Sequence, residues 1–255
     1  MKVLAINGGA GRMGQILAGG LSATGRFSIG ALVDTQAPHE LFGATYAPSW
    51  DVVDATTIDV VVDFSSPEGV VASATWCAAH GKGLVIGTTG LSDDQRRTVE
   101  EAATKVGVVI SANYSLGAVL SERFAAMAAP YFDRVEIIEL HHDKKVDAPS
   151  GTSIAAAKGI AAARNAAGLP EMTDPTVRHT LSGARGADTI GGIKIHSVRL
   201  PGLVAHQEIL FGGPGEGLTI RHDSFDRLSF VQGVALAADA IDASPRLIDG
   251  IESLI

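Results

Sequence analysis

Two adjacent histidines, two adjacent lysines and two aspartates crowd one stretch of the chain, ELHHDKKVDAPSGT at residues 139–152. A charge run is ordinarily a solvated loop, so the residue types must argue for more. In an extended strand, neighbouring side chains leave opposite faces. One imidazole of the His141–His142 pair can therefore face a pocket while the other anchors elsewhere. A zinc site favours spaced ligands, histidines at i and i+4 with a carboxylate or thiolate, and Lys144 and Lys145 would repel a cation. Metal binding is discarded on those grounds, and an anionic substrate is the better partner for the lysines. Ser150, Gly151 and Thr152 then open an alanine-rich helix. Ser150 can cap it, and the amides near Gly151 and Thr152, with the threonine hydroxyl, make a cradle for a carboxylate. Charge-assisted hydrogen bonds of that kind contribute roughly 1.5–3 kcal/mol each. A helix that merely caps itself explains Ser150 and Gly151, but not the histidines and lysines before them. A positioned histidine or lysine can also protonate the carbanion-like centre left by hydride transfer, help worth about 10²–10⁴ in rate. Asp143 and Lys144 keep the plain reading of solvated loop.

The other constellation opens the chain. AINGGAGRMG sets Gly8, Gly11 and Gly14 three apart, directly after an apolar run and before a helical pattern. A pyrophosphate needs that order: a tight turn, backbone close enough to donate amide hydrogens, and a helix N-terminus adding its dipole. Asp34 closes the next strand twenty residues beyond Gly14, where a carboxylate can accept hydrogen bonds from a ribose diol. A 2′-phosphate would sit against Asp34, and Thr35 supplies no cation to offset it. NADH is therefore the expected cofactor, with NADPH left open through Arg12. GTTG (87–90) and SANY (111–114) fall at the carboxyl ends of further strands, the edge along which open α/β sheets bind ligands.

These loops need a frame. KVLAIN, FSIGALVD, IDVVVDFSS, GLVIGTTG and VVISANYS are short apolar, β-branched runs, and helical patterns alternate with them. That alternation predicts a Rossmann-like, doubly wound parallel sheet buried on both faces. Pro67 stands where a first helical position belongs, Gly81 and Gly107 where helices stop, and Ser92 where one is capped. The pattern changes near Asn113. A helix, the strand VEIIELHH and a second helix ended by Gly168 and Pro170 are followed by VRHTLS, GIKIHSVRL, VAHQEILFGG and GLTIRHDS. Strand after strand with Gly-Pro punctuation predicts an α+β domain with a mixed or antiparallel sheet. The expected division is a dinucleotide-binding domain over 1–113, completed by a C-terminal helix at 229–255, and a substrate-binding and oligomerisation domain over 114–228.

Bulk properties narrow the function. The 255 residues are 46% hydrophobic and 19% charged, which excludes disorder. The net charge of −8 and 5% aromatic content argue against nucleic acid and anionic membranes as partners. No apolar run is long enough to span a bilayer, and MKVLAING leaves no room for a signal peptide. The one cysteine, Cys77, is expected to be a small buried group. A cytoplasmic protein is expected. The residues alone thus lead to a reductase of a small anionic substrate. Two rivals are another reductase of aspartate-derived metabolites and a non-catalytic module that senses NAD(H). The first lacks the paired histidines before lysine and DAPSGT; the second has no use for His141 and Lys145.

The stretch at 139–152 resembles the signature of the 4-hydroxy-tetrahydrodipicolinate reductase (dihydrodipicolinate reductase) family, E-x-H-H-x-x-K-x-D-A-P-S-G-T. GGAGRMG, VDFSSP, GTTG, SANYSLGAVL and IHSVRLPG follow in the family's order along nearly the whole chain. The resemblance implies NAD(P)H-dependent reduction of (2S,4S)-4-hydroxy-2,3,4,5-tetrahydrodipicolinate to tetrahydrodipicolinate, with loss of water, in diaminopimelate and lysine biosynthesis. It implies His141 as the proton donor and acceptor, Lys145 as a proton-donating lysine and His142 as a substrate-binding residue. Gly151 and Thr152 then take a carboxylate of the dicarboxylate substrate. It implies cofactor contacts from Gly8, Gly9, Ala10, Gly11, Arg12, Met13 and Asp34. Gly87, Thr88, Thr89, Ser111, Ala112, Asn113 and Tyr114 complete that set. A homotetramer built through the second domain's sheet is implied as well. Tyr114 departs from the family, standing where phenylalanine is common, and is expected to add a hydroxyl near the nicotinamide side.

Overall fold

The computed structural model describes residues 1–255, which divide into two compact units: Met1–Leu116 with Arg227–Ile255, and Gly117–Asp226. The first unit begins with β1 (Lys2–Asn7), α1 (Arg12–Ala23), β2 (Phe27–Val33) and the short β3 (Thr45–Ala47). β4 (Val60–Asp63), α2 (Pro67–His80), β5 (Gly83–Ile86), α3 (Asp93–Ala103) and β6 (Gly107–Ile110) continue the alternation. β4, β5 and β6 are buried at every position, as a parallel strand covered on both faces must be. The punctuation works as its residue types predict at Pro67, Gly81 and Ser92, whereas Gly107 is the first residue of β6 and α3 ends earlier, at Ala103. Ser66 caps α2 ahead of Pro67, and Gly81 ends it in the left-handed conformation at φ 66°. Ser92 and Gln95 form a reciprocal capping box on α3.

The second unit holds α4 (Leu116–Ala128) from Gly117 onward, β7 (Arg134–His141), α5 (Gly151–Ala166) and β8 (Ala187–Asp188). β9 (Lys194–Arg199), β10 (Ala205–Gly213) and β11 (Glu216–Ser224) complete it. Its sheet runs β11-β10-β7-β9-β8, with β7 and β9 parallel and the other pairs antiparallel. This is the mixed sheet that the strand-rich pattern predicts. Val135, Ile137, Ile195, Ile209 and Phe211 pack from the sheet against Ala156, Ala157 and Ile160 of α5. VRHTLS does not become a strand: residues 177–182 are irregular, with Val177 98% and Leu181 74% exposed. Alternating residues make a strand only where an edge exists to pair with, and here none is paired.

The chain then returns to the first unit as α6 (Val231–Ala240) and β12 (Arg246–Asp249). The expected helix over 229–255 is thus shorter, and its tail is a strand parallel to β6. The completed sheet is seven parallel strands in the order β12-β6-β5-β4-β1-β2-β3. Strand order reverses beside β1, which puts the loop after β1 at a topological switch point, where such sheets bind ligands.

Candidate active site

In the first unit, the loop after β1 is built by backbone contacts. Gly8 and Gly9 both donate to the Val33 carbonyl, at 2.9 and 3.1 Å, and Gly11 donates back to the Gly8 carbonyl at 3.0 Å. A Cβ on Gly14 would lie 2.9 Å from the Gly9 Cα and press on the Gly8 carbonyl, so only glycine lets α1 pack this tightly on the turn. Gly11 is the N-cap of α1 and brings no side chain to it. The first-turn amides are therefore free of a protein cap, as a pyrophosphate requires. Asp34 follows β2 and accepts from the Ala10 amide at 3.0 Å and from the Gln36 amide at 3.1 Å. The acid expected at the ribose is thus also a brace on the glycine loop. Glycine cradle, uncapped helix start and terminal acid together fit a nicotinamide dinucleotide.

Two further loops of this unit hang on one carboxylate. Asp63, fully buried at the end of β4, accepts from Asn7 Nδ2 at 2.8 Å, Ser73 Oγ at 2.6 Å and Ser65 Oγ at 2.8 Å. It also accepts from the Ser65 amide at 3.1 Å and Thr88 Oγ1 at 2.8 Å. Thr88 in turn accepts from the Ser65 amide at 2.8 Å. Thr88, Thr89, Ser111 and Ala112 line a cavity of about 460 Å³. Ser111 Oγ donates to the Asn113 carbonyl at 2.8 Å, and Asn113 Oδ1 accepts from the Ser115 amide at 2.9 Å. Tyr114 departs from expectation. Its ring is fully buried beside Phe64, and its hydroxyl donates to the Ile86 carbonyl at 2.8 Å. Burial pushes the phenol well above its ordinary range despite backbone hydrogen bonds. The hydroxyl is a core group, and the whole residue is shielded from solvent, so Tyr114 braces the loop from the core and presents nothing to a ligand.

The second unit gathers the charged stretch around Glu139, a residue with no role in the reading of the motif. Along β7 the buried positions alternate, and Glu139 falls in phase with Val135 and Ile137. Its fully buried carboxylate accepts from His141 Nδ1 at 2.5 Å, from Arg199 Nη1 and Nη2 at 2.7 and 2.8 Å, and from the Ser150 amide at 3.2 Å. Burial pushes this carboxyl up, but hydrogen bonds from Arg199, Ser197 and His141 outweigh it and hold the group at about 2. Glu139 is therefore an acceptor only, and Nδ1 of His141 carries the hydrogen. Burial lowers the His141 pKa, Glu139 raises it, and Lys145 and Arg199 lower it again; the net position is below the ordinary imidazole range. At neutral pH the ring is uncharged, with the Nε2 lone pair left to act.

Around that dyad the loop closes on itself. Lys145 Nζ donates to both carboxylate oxygens of Asp147, at 2.8 and 2.7 Å, and Arg199 Nη2 donates to the Asp147 carbonyl at 2.8 Å. The ammonium of Lys145 holds the Asp147 carboxyl below its usual range. Ser150 Oγ caps α5 by accepting from the Ser153 amide at 3.2 Å, and Ser153 Oγ donates to Gln207 at 2.6 Å. Gly151 opens the helix onto free space, since a Cβ there would meet nothing within 4 Å. Thr152 follows it, half-buried. His142, Asp143 and Lys144 lie past the end of β7 and are exposed. His141, Lys145, Gly151 and Thr152 thus belong to one loop and helix start. Glu139, Arg199 and Asp147 are the residues that sequence reasoning left without a role. Arg199 is found only through register, because β9 pairs it directly with His141.

The family model described as dihydrodipicolinate reductase, N-terminus, matches residues 1–114, and its C-terminal counterpart matches residues 117–254. The chain is 42% identical over 248 residues to a 4-hydroxy-tetrahydrodipicolinate reductase of Corynebacterium diphtheriae, covering 96% of this chain and 95% of that one. It is 47% identical over 243 residues to the enzyme of that name from Mycolicibacterium gilvum, covering 93% and 98%. Among solved structures it is similar to a dipicolinate-bound dihydrodipicolinate reductase from Paenisporosarcina sp. TG-14. That match has a TM-score of 0.89, 37% identity and 100% coverage of both chains.

Proposed function

The chain belongs to the dihydrodipicolinate reductase family, and from that premise we propose how its residues divide the work. It is an NAD(P)H-dependent oxidoreductase that reduces 4-hydroxy-tetrahydrodipicolinate to tetrahydrodipicolinate, with loss of water, on the route to diaminopimelate and lysine. The observation that carries the division of roles is the Glu139 carboxylate, which joins His141 to the start of α5.

Loss of the hydroxyl and a neighbouring hydrogen as water leaves an unsaturated acceptor, to which the nicotinamide, when bound, supplies a hydride. The first unit's residues would hold the dinucleotide: the glycine loop from Gly8 to Met13 at the pyrophosphate and Asp34 at the ribose. Gly87, Thr88, Thr89, Ser111, Ala112 and Asn113, with Tyr114 bracing their loop from the core, would hold the nicotinamide side. Asp34 followed by Thr35 favours NADH, because the carboxylate repels a 2′-phosphate, and Arg12 is the one nearby cation that could admit NADPH. In the second unit, Gly151 and Thr152 take one substrate carboxylate on the α5 amides, and His142 contacts the substrate. Addition of hydride pushes an electron pair onto the conjugated system, and the resulting enamine needs one proton to become product. His141 and Lys145 handle that proton. A histidine neutral at rest accepts a proton at Nε2 and returns it, and Lys145 carries one already.

We further propose a homotetramer. β11 is an edge strand with its outer side unpaired, and Phe225 just beyond it is 74% exposed; such edges are ordinarily covered. Sedimentation of the purified protein tests this. No helix is long and apolar enough to cross a membrane, and the cytoplasm, with its pool of reduced nicotinamide, is the proposed compartment. The activity test condenses pyruvate with aspartate semialdehyde using the upstream synthase and follows NADH oxidation on adding this protein. Rapid oxidation dependent on both precursors is expected; none, in folded protein that binds NADH, would sink the assignment. His141→Gln should lower turnover and leave NADH affinity nearly intact.

A further inference from the structure

One carboxylate in the second unit is bonded to more of the site than any residue with a proposed contact to substrate. Besides the Ser197 contact, each oxygen of Glu139 accepts two hydrogen bonds. Oε2 takes His141 Nδ1 at 2.5 Å and Arg199 Nη1 at 2.7 Å; Oε1 takes Arg199 Nη2 at 2.8 Å and the Ser150 amide at 3.2 Å. Its acceptor capacity is filled, and it is wholly shielded from solvent. The four donors come from three places: the end of β7, the end of β9 and the residue that caps α5. Arg199 passes the link onward through the Asp147 carbonyl at 2.8 Å, and the Asp147 carboxylate holds Lys145.

We propose that Glu139 is the positioning residue of this site. It fixes the Nδ1–H tautomer of His141, leaves Nε2 as the working nitrogen, and sets that nitrogen in register with the carboxylate cradle at Gly151 and Thr152. The proposal rests on the substrate assignment above and deepens it. The physical reason is that an imidazole carries its single hydrogen on whichever nitrogen finds the stronger acceptor. A buried, saturated carboxylate is the strongest acceptor available to the ring. An amide in its place presents a donor to Nδ1 on one side, which drives the hydrogen to Nε2 and leaves the working nitrogen unable to accept a proton. Arg199 makes the placement rigid: a bidentate guanidinium allows the carboxylate one orientation in its plane. The same carboxylate receives the Ser150 amide, so a shift of the acid moves His141 and the α5 start together.

The test uses the full-length protein and its Glu139→Gln and Glu139→Asp variants. Nitrogen-15 spectra of the imidazoles, assigned with His141→Gln, are expected to show the Nδ1–H form in the wild type and a shift toward Nε2–H in Glu139→Gln. Turnover in Glu139→Gln is expected to fall on the order of 10²–10³-fold, with the NADH dissociation constant within twofold of wild type. Glu139→Asp keeps the charge and is expected to keep the Nδ1–H tautomer and recover part of the turnover. A wild-type His141 in the Nε2–H form overturns the proposal, even if Glu139→Gln fails to fold. So does a folded Glu139→Gln with wild-type turnover. An inactive wild type with the Nδ1–H tautomer would overturn the substrate assignment instead, so the two failures are distinguishable.

Discussion

Asp63→Asn is the substitution that asks most of the first unit. The carboxylate has no cation beside it among its hydrogen-bond partners; five neutral donors hold it, from Asn7, Ser73, Ser65 twice and Thr88. Asparagine keeps one acceptor oxygen and turns the other into a donor. If the oxygen stays with Ser65 and Thr88, the new NH₂ faces Asn7 Nδ2, a donor that cannot turn away. Asn7 Nδ2 also donates to the Gly69 carbonyl at 3.2 Å, so flipping its amide breaks that bond as well. Ser73 can adapt by rotating its hydroxyl. About two charge-assisted bonds are lost, each roughly 1.5–3 kcal/mol, and relief of a buried charge returns part of that. A net loss of about 2–4 kcal/mol follows. Urea titration reads it directly, because both tryptophans, Trp50 and Trp76, stack in this unit with ring centres 4.7 Å apart. NADH affinity should weaken about tenfold, equivalent to about 1.4 kcal/mol, as the Thr88 loop loosens. A loss of stability under about 1 kcal/mol with an unchanged m-value would refute the donor count. A full loss with unchanged NADH affinity would refute the link from Asp63 to the cofactor loop.

Tyr114→Phe should leave NADH and substrate KM unchanged and lower stability by only about 0.5–1.5 kcal/mol, since the Ile86 carbonyl still receives the Ser111 amide at 3.0 Å. A tenfold change in KM for NADH, without destabilisation, would return the hydroxyl to the cofactor site. Gly14→Ala places a Cβ 2.8 Å from the Gly8 carbonyl carbon, whereas Gly11→Ala meets only the Gly8 oxygen, at 3.1 Å. NADH titration should show at least a tenfold loss for the first and a much smaller one for the second; equal effects would sink the close-packing argument. The second unit should weaken in acid. Glu139 is held at about 2 against an ordinary 4.5, so its stabilisation is full above pH 4.5 and is lost as pH falls toward 2. The loss is on the order of 2 kcal/mol after allowing for partly exposed Arg199. Thermal melts in that window should lose this slope in Glu139→Gln, and a slope that survives there belongs to other carboxylates.

What was legible in the chain was local. β4, β5 and β6 are continuous apolar runs because both their faces are covered, and a covered run looks the same in sequence as in space. Pro67, Gly81 and Ser92 were readable because each meets a backbone need within three residues of itself, whereas the Ser66 cap on α2 was seen only in the structure. β3 and β12 escaped notice as three- and four-residue edges whose backbone pairs with one neighbouring strand only. VRHTLS carried the right residue types and had no partner. The site divides the same way. The histidines, lysines and DAPSGT announce chemistry because they are adjacent. Arg199 stands 60 residues from Glu139 and joins it only through the pairing of β7 with β9. Glu139 did carry a signal, an acid in phase with Val135 and Ile137 on the buried face, which asks for a buried partner. Tyr114 shows the opposite failure: a phenol near a ligand loop looks like a contact until its acceptor in the core is known.

The cations of the second unit differ in what holds them, and that difference assigns them separate work. Arg199 sits on a carboxylate with no exposed surface, and breaking such a pair costs roughly 3–5 kcal/mol, more than a substrate can readily draw on. Lys145 sits on Asp147, whose side chain is 61% exposed, and an exposed pair is worth only about 0–1 kcal/mol. An incoming carboxylate can therefore take Lys145 from Asp147 at little cost, while Arg199 stays fixed. Asp147 then acts as a placeholder that keeps the ammonium near His141 until substrate arrives. Asp147→Asn removes the competitor and leaves the backbone carbonyl that Arg199 uses. Substrate KM should fall, by no more than about fivefold for about 1 kcal/mol, and NADH KM should not move. Steady-state kinetics at low salt, where the pair is strongest, gives the cleanest measurement. A substrate KM that instead rises tenfold would mean that the Asp147 carboxylate holds the loop in shape, and that Lys145 is as fixed as Arg199.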